Sequence, residues 1–105
     1  MLFLFKGEVK GTAPLPPEQF MELAVKQVEM FMKYKQEGKI LAGGTMVGRR
    51  GSYAIWNVGS VEELQKLLGQ LPMFPFGENE VIPLLDYEQA LESAKQVLAK
   101  QRASK

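Results

Sequence analysis

The chain opens with a short apolar run whose side chains alternate between two faces. This run, MLFLFKGEV, is rich in phenylalanine and leucine and is followed by a glycine and a cluster of prolines. An apolar run bounded by turn residues is typical of a β-strand. Phe3 and Phe5 lie on one face of this strand, and Leu2 and Leu4 lie on the other. Because both faces are apolar at the start of the strand, neither is expected to face water.

A long amphipathic helix is predicted after this strand. Pro17 suits the first turn of a helix, and Gly38 is typical of the position after its last turn. One apolar stripe with helical spacing consists of Phe20, Leu23, Ala24, Val28 and Phe31. A second stripe beside it consists of Met21, Val25, Val28 and Met32. Since the two stripes together are wider than one sheet covers, the helix is expected to contact a partner chain as well.

Three further strands are predicted. The runs KILAGGTMV and SYAIWNV are strand-like and are joined by the turn sequence GRRG, which is typical of a hairpin. The run NEVIPLL is the last strand. Pro83 within it indicates a sheet edge or a bulge, because proline has no N–H to donate to a neighbouring strand.

Two more helices are indicated by their first residues. Ser60, with Glu63 three residues later, forms a capping-box pattern before a leucine-rich segment. Asp86, with Gln89 three residues later, marks the start of a C-terminal helix. The apolar stripe of this last helix consists of Tyr87, Leu91, Ala94 and Leu98.

The order of elements is βαββαβ with an additional C-terminal helix. This is the order of a ferredoxin-like α+β fold, a four-stranded antiparallel sheet with both helices on one side. We therefore divide the chain into a ferredoxin-like domain at residues 1–85 and a helical extension at residues 86–105. Because the helices cover one face only, and the first and third strands are apolar on both faces, two sheets are expected to pack face to face in a dimer.

Composition limits the chemistry of this chain. Its 13 basic and 12 acidic residues leave a net charge of +1, which gives no reason to expect nucleic-acid binding. It contains neither histidine nor cysteine, so metal sites and nucleophiles built on these residues are excluded. No apolar segment is long enough to cross a membrane or has the form of a signal peptide, so a cytoplasmic protein is expected.

The stretch from Glu37 to Leu84 resembles the muconolactone delta-isomerases. The resemblance is clearest in LPMFPF and the following EVIPL strand, residues 71–84, and weaker similarity extends it over residues 1–85. It implies a dimeric α+β barrel, often assembled into larger rings such as decamers. It also implies the isomerisation of a small unsaturated lactone, in the degradation of aromatic compounds, without a metal or an organic cofactor. The helix after Asp86 and the absence of histidine depart from the family.

Moving the double bond of a lactone requires a base that takes a proton and donors that stabilise the enolate charge. Because histidine and cysteine are absent, Glu8 or Glu80 is expected to carry the proton, with Lys6 as an oxyanion stabiliser and as the fallback base. Glu8 and Lys6 share one face of the first strand, and partial burial is expected to raise the pKa of Glu8 toward neutrality. A solvated strand end is the alternative for these residues.

Five further residues are candidates for binding the substrate. Tyr53 is a potential hydrogen-bond donor to a carbonyl oxygen. Arg49 and Arg50 lie in the predicted hairpin turn, and guanidinium groups have the geometry to hold a carboxylate. Phe74 and Phe76, in the proline-containing connector, are candidate walls of an apolar pocket. Core or interface packing of the aromatic rings and a solvated turn for the arginines are the alternatives.

These patterns leave different classes of function open. The first is a cofactor-independent isomerase acting on a small molecule. The second is a non-catalytic small-molecule-binding protein or oligomeric scaffold with the same fold, since a fold alone does not decide function. A cofactor-free oxygenase is a third and weaker possibility, because such sites often rely on histidine and this chain has none. A pocket in which a carboxylate meets an arginine or a tyrosine favours the isomerase.

Overall fold

The strands and helices follow the predicted order. The structure, a computed structural model, describes residues 1–104. Its strands are β1 Leu2–Glu8, β2 Ile40–Thr45, β3 Gly51–Asn57 and β4 Glu78–Leu84. Its helices are α1 Pro17–Gln36, α2 Val61–Gly69 and α3 Tyr87–Ala103, and a short 3₁₀ turn covers Phe74–Phe76. The βαββαβ order with an added C-terminal helix is confirmed.

The four strands form one antiparallel sheet in the order β2-β3-β1-β4. This order places β1 and β3 at the centre and puts β2 and β4 at opposite edges, which is the ferredoxin-like arrangement. Pro83 lies in the edge strand β4, as predicted. An edge strand tolerates proline because only one of its sides takes part in the hydrogen-bond ladder.

The core lies on the sheet face that carries α1 and α2. Phe3, Phe5 and Ala54 from the two central strands are buried there, and Trp56 has no exposed surface at all. The helices and the segments next to them supply the opposing side chains: Tyr34, Leu64, Leu67, Leu68 and Leu71. Burying a large apolar side chain of this kind stabilises the fold by roughly 1.5–3 kcal/mol.

The opposite face of the sheet is apolar but only partly shielded. Leu4 lies between Ile55 and Ile82 in the strand register, and Ile82 is 37% exposed. One row further along, Lys6 lies between Tyr53 and Glu80. Both faces of β1 therefore carry apolar side chains, which is the condition that a face-to-face dimer requires.

Side chains cap the first turns of α2 and α3 much as the sequence predicts. The Ser60 hydroxyl accepts from the Glu63 N–H at 3.1 Å, but the Glu63 carboxylate accepts from the Gly59 N–H and not from that of Ser60. Asp86 and Gln89 form the complete reciprocal capping box at the start of α3. The pattern of residue types thus predicted both helix starts correctly.

Helix α3 extends away from the rest of the molecule. It contains no buried residue, and its apolar stripe is exposed. The molecule measures 64 × 30 × 23 Å and has a radius of gyration of 17.7 Å, whereas a globular chain of 100 residues has about 13 Å. Within residues 1–104, no helix is both long and apolar enough to cross a membrane.

Candidate active site

A cavity of about 290 Å³ lies between α1 and one end of the sheet. Its walls are mainly apolar and include Phe5, Val9, Phe20, Met73 and Phe74. Charged and polar groups line one end: Glu8, Arg49, Arg50 and Ser52. The volume is at the small end of the range for ligand sites, roughly 300–1,000 Å³, so it suits a molecule of about one ring.

A glycine of β1, Gly7, forms part of the cavity wall. Phe3 and Phe5 point into the core, and Gly7 is the next position on the same face. A Cβ atom at Gly7 would lie 2.8 Å from Oδ1 of Asn79 and 3.0 Å from the Phe5 ring. The first distance is shorter than real Cβ contacts and the second is very tight, so glycine at this position allows β1 to approach Asn79 and Phe5 closely.

Glu8 and Arg49 form a two-point ion pair at the polar end of the cavity. Nε of Arg49 donates to Oε1 of Glu8 at 2.5 Å, and Nη2 donates to Oε2 at 2.7 Å. The strand register accounts for this contact, because Glu8 lies opposite Gly51, next to the turn that carries the arginine. The Glu8 side chain is 13% exposed and that of Arg49 is 60% exposed. Glu8 is therefore mostly shielded from solvent at the cavity, and Arg49 lies at its solvent side.

The ion pair shifts the pKa of both partners. The hydrogen bond from Arg49 holds the pKa of Glu8 below its usual range, and this outweighs the opposing effect of burial. The Glu8 carboxylate in turn raises the pKa of Arg49. The raised pKa that the sequence predicted for Glu8 is thus wrong, because a cation 41 positions away in sequence binds the carboxylate. Glu8 is ionised at neutral pH.

Arg50 is held at the cavity wall by neutral partners. Its Nη2 donates to the Gly11 carbonyl oxygen, and its guanidinium lies 5.9 Å from the centre of the Phe20 ring, within range of a cation–π interaction. Among residues 1–104, no carboxylate forms a salt bridge with it. Arg50 is therefore the cation at this cavity whose charge is open to an anionic ligand.

The other predicted polar residues lie on the outer face of the sheet. Lys6 and Glu80 border a second groove of about 260 Å³, which Glu8 and Arg49 also border. The Tyr53 ring packs beside Gly44, where a Cβ atom would lie 3.4 Å from the ring. Tyr53 does not line the main cavity, and neither do Lys6 and Glu80. Their assigned roles stay predictions.

The two phenylalanines of the connector have different surroundings. Phe74 lines the cavity and packs against the core, whereas Phe76 is 37% exposed and does not line the cavity. Hydrogen bonds hold this segment in place: Asn79 Nδ2 donates to the Phe74 carbonyl at 2.9 Å, and the Met73 N–H donates to Oε1 of Gln27 at 2.7 Å. The connector thus forms one cavity wall through Phe74.

Ser52 is a cavity residue that the sequence analysis missed. It is 8% exposed and lies at the polar end of the cavity. Alternation along β3 places Ser52 on the same inward face as Ala54 and Trp56, and this pattern could have identified it from the sequence. A hydroxyl on an otherwise apolar, buried strand face indicates a polar role. Within residues 1–104, no group of three acidic side chains is placed to hold a metal ion.

Comparison with known sequences gives one family. The sequence pattern of the muconolactone delta-isomerases matches residues 1–90. The muconolactone delta-isomerase of Cupriavidus pinatubonensis is 30% identical over 87% of this chain and 99% of that protein. The enzyme of the same name from Pseudomonas aeruginosa is 31% identical over 77% of this chain and 84% of that protein.

Comparison with solved structures gives the same family. A crystal structure of muconolactone isomerase superposes with a TM-score of 0.73 at 31% identity, covering 83% of this chain and 91% of that one. A 5-chloro-2-hydroxyhydroquinone dehydrochlorinase from Burkholderia phenoliruptrix superposes with a TM-score of 0.66 at 18% identity, covering 85% of this chain and 98% of that one. The second likeness shows a shared fold only.

Proposed function

We propose, since this chain belongs to the muconolactone delta-isomerase family, that it isomerises a small unsaturated lactone by moving a proton and a ring double bond. The observation that carries this proposal is the meeting of Glu8, Arg49 and Arg50 at one end of an apolar cavity of about 290 Å³. An apolar wall suits a lactone ring, a carboxylate suits proton transfer, and a guanidinium suits an anionic substituent.

The proton transfer needs no group from outside the chain. The Glu8 carboxylate takes a proton from one ring carbon, which leaves a dienolate and a neutral Glu8 carboxyl group. The same carboxyl group then returns the proton to the other end of the conjugated system, and the double bond moves. The Ser52 hydroxyl, which lines the cavity beside Arg50, stabilises the negative charge between the two steps.

Arg49 controls the strength of the base in this scheme. While it binds Glu8 at both oxygens, the carboxylate is a weak proton acceptor because its pKa is lowered. Muconolactone carries a carboxylate of its own, which competes with Glu8 for the guanidinium. Substrate that draws Arg49 away raises the pKa of Glu8. The base therefore becomes stronger only when the cavity is occupied.

Proton exchange tests this proposal. The protein is incubated with muconolactone and related butenolides in D₂O, and ring-proton exchange is followed by NMR. Glu8→Gln is expected to lower the exchange rate by about 10²–10⁴-fold. Glu78→Gln is a matched control, since Glu78 lies opposite Glu8 on β4 but outside the cavity. Its exchange rate is expected to be near that of the unmodified protein.

The rival bases are tested in the same assay. Glu80→Gln is made separately, because Glu80 borders the second groove. Near-normal exchange in both Glu8→Gln and Glu80→Gln would rule out these two glutamates as the proton carrier, and Lys6 would be tested next. Absence of exchange in the unmodified protein with every lactone would reject the isomerase.

One observation favours a second function, non-catalytic binding of a small anionic molecule. The paired charges of Glu8 and Arg49 satisfy each other, and a carboxylate with a lowered pKa is a weaker base than the reaction prefers. Under this alternative, muconolactone binds without exchange. Calorimetric binding together with an unchanged NMR spectrum in D₂O would identify it.

We also propose that two copies pack through the outer faces of their sheets. The row of Leu4, Ile55 and Ile82 supplies an apolar contact, and burial stabilises such a contact by about 25 cal/mol per Å². Sedimentation equilibrium with the variant Ile55→Lys is expected to show a weaker dimer. A stable monomer of the unmodified chain at micromolar concentration would reject this contact. Assembly into larger rings and a cytoplasmic location stay predictions.

A further inference from the structure

Two helices expose apolar stripes with the same spacing. On α1 the stripe, called here the α1 stripe, consists of Met21, Val25, Val28 and Met32. On α3 the stripe, called here the α3 stripe, consists of Tyr87, Leu91, Ala94 and Leu98. Both follow steps of four, three and four residues, which is the spacing of the a and d positions of a coiled coil. All eight side chains are exposed.

We propose that the α3 stripe of one copy packs antiparallel along the α1 stripe of a second copy. Antiparallel alignment forms four layers, which pair Met21 with Leu98, Val25 with Ala94, Val28 with Leu91 and Met32 with Tyr87. In each layer an a position meets a d position, the arrangement in which antiparallel helices interlock. Small Ala94 faces a branched valine, so the helices approach closely at that layer.

Charges beside the stripes favour this pairing over pairing of α1 with itself. Glu22 and Glu29 flank the α1 stripe, and Lys95 and Arg102 occupy the equivalent flank of the α3 stripe. In the antiparallel alignment the acidic flank faces the basic one, with Glu88 as the like-charged exception. Two α1 helices packed together would instead face glutamate with glutamate. Flanking charges of this kind select partner and orientation more than they add affinity.

The strand order explains why the helix that packs on the α1 stripe comes from a second copy and not from the same chain. α3 follows the edge strand β4, and α1 packs against β2 at the opposite edge. These edges are about 14 Å apart at roughly 4.8 Å per strand. Leu84 and Tyr87 are joined through two residues and can be at most about 11 Å apart. The link is shorter than the distance between the two edges, and in the structure Tyr87 is 93% exposed, so it does not pack on Met32 of its own chain.

The proposed contact reaches the cavity of the second copy. Met21 and Val28 of the α1 stripe also border that cavity. A helix lying along the α1 stripe therefore covers part of the cavity mouth. The match to the isomerase family ends at residue 90, so Leu91, Ala94 and Leu98 lie beyond it. Most of the α3 stripe therefore lies outside the part of the chain that matches the family. The proposed contact does not depend on whether the cavity is catalytic.

Disulfide cross-linking tests the contact, because the chain has no cysteine of its own. One sample carries Val25→Cys and the other, labelled with ¹⁵N, carries Ala94→Cys. The samples are mixed, oxidised mildly and analysed by mass spectrometry under denaturing conditions. The mixed disulfide dimer is expected to form at least fivefold more than in a control mixture of Val25→Cys with Gln96→Cys, since Gln96 lies on the opposite side of α3.

Other products of the same experiment overturn the proposal. A mixed dimer no more abundant than the control means that the stripes do not meet. Predominant Ala94→Cys homodimers mean that α3 pairs with itself, and predominant Val25→Cys homodimers mean that α1 does. If the double variant Val25→Cys/Ala94→Cys closes its disulfide within one chain, the stripe is covered by its own helix and the second copy is wrong.

A charge-insertion pair gives an independent readout. Leu91→Glu/Leu98→Glu places two charges in the α3 stripe, and Gln89→Glu/Gln96→Glu places the same two charges on the other side of the helix. Because α3 contains no buried residue, neither variant is expected to change the unfolding midpoint of the sheet and core. The first variant is expected to abolish cross-linking between positions 25 and 94, and the second to leave it. Equal cross-linking in both would overturn the proposal.

Discussion

Arg49 binds both oxygens of Glu8, with Nε at 2.5 Å from Oε1 and Nη2 at 2.7 Å from Oε2. The contact joins the end of β1 to the turn between β2 and β3, and it lowers the pKa of the carboxyl group that we propose as the base. The charge state of this base therefore depends on a second residue whose own side chain is largely in solvent. Access of a competing anion to Arg49 changes the chemistry that Glu8 can perform.

Replacing Arg49 by glutamine is expected to raise the pKa of Glu8 toward the ordinary glutamate value of 4.5. The reason is that the hydrogen bond from Arg49 is the largest cause of the lowered pKa. A ¹³C NMR titration of the Glu8 carboxyl carbon measures the change. Arg50→Gln is the matched control, because Arg50 does not contribute to the shift of Glu8. The same rise in both variants would contradict the assignment.

The ion pair is also expected to make stability depend on pH. A carboxyl group with a lowered folded-state pKa stabilises the folded state above its unfolded pKa, and this contribution is lost as pH falls through the folded-state value. Glu8→Gln should therefore lower the free energy of unfolding at pH 7 and have a diminishing effect below pH 4.5. Because Arg49 borders solvent, the effect is small and weakens with salt. Denaturant unfolding of both proteins between pH 7 and 3 measures it, and a difference that grows toward acid pH would have the wrong sign.

Two phenylalanines provide a matched pair for the packing of the core. Phe3 is 3% exposed, whereas Phe76 is 37% exposed. Phe3→Ala is expected to lower the free energy of unfolding by about 3–5 kcal/mol, the usual range for a buried phenylalanine. Phe76, which the sequence made a candidate wall of the pocket, is more exposed, so Phe76→Ala is expected to have a clearly smaller effect. Equal losses in urea unfolding would indicate that Phe76 is buried in the assembled protein.

Arg50 is expected to set the affinity for an anionic lactone. Arg50→Gln should raise KM for muconolactone by about 10–100-fold, which corresponds to the loss of a hydrogen bond to a charged group. It should leave KM unchanged for a butenolide that has no carboxylate. Steady-state kinetics with the two substrates separate these effects. An equal rise of KM for both substrates would show that Arg50 shapes the cavity wall and does not bind the anion.

The fold was predictable because its signals are local. Period-two and helical spacing, the capping pairs that begin at Ser60 and Asp86, and the proline in β4 each act within a few residues. The tertiary contacts of the fold favour the same local structures as these sequence patterns, so the predicted strands and helices are present in the folded chain. Strand and helix order followed from them, and strand bounds differed from the prediction by only one or two residues.

The candidate site was predictable only in part because its contacts are distant in sequence. Glu8 and Lys6 share one strand face, yet only Glu8 reaches the cavity, since it lies at the end of the strand beside the turn that carries Arg49. Which cation binds Glu8 depends on the register of β1 against β3, and single-sequence patterns do not give that register. The direction of the Glu8 pKa shift was wrong for this reason.

The close packing at Gly7 has a consequence for how sequences with this fold can change. A side chain at position 7 would collide with Asn79, and Asn79 holds the Phe74 carbonyl that fixes one cavity wall. A side chain at position 7 therefore requires the Asn79 side chain to move away from the Phe74 carbonyl or to be replaced. Among natural relatives, we expect any residue larger than glycine at position 7 to occur together with a residue shorter than asparagine at position 79. Evolution can then reshape the size of the accepted ring without touching Glu8 or either arginine, provided that it changes both positions at once.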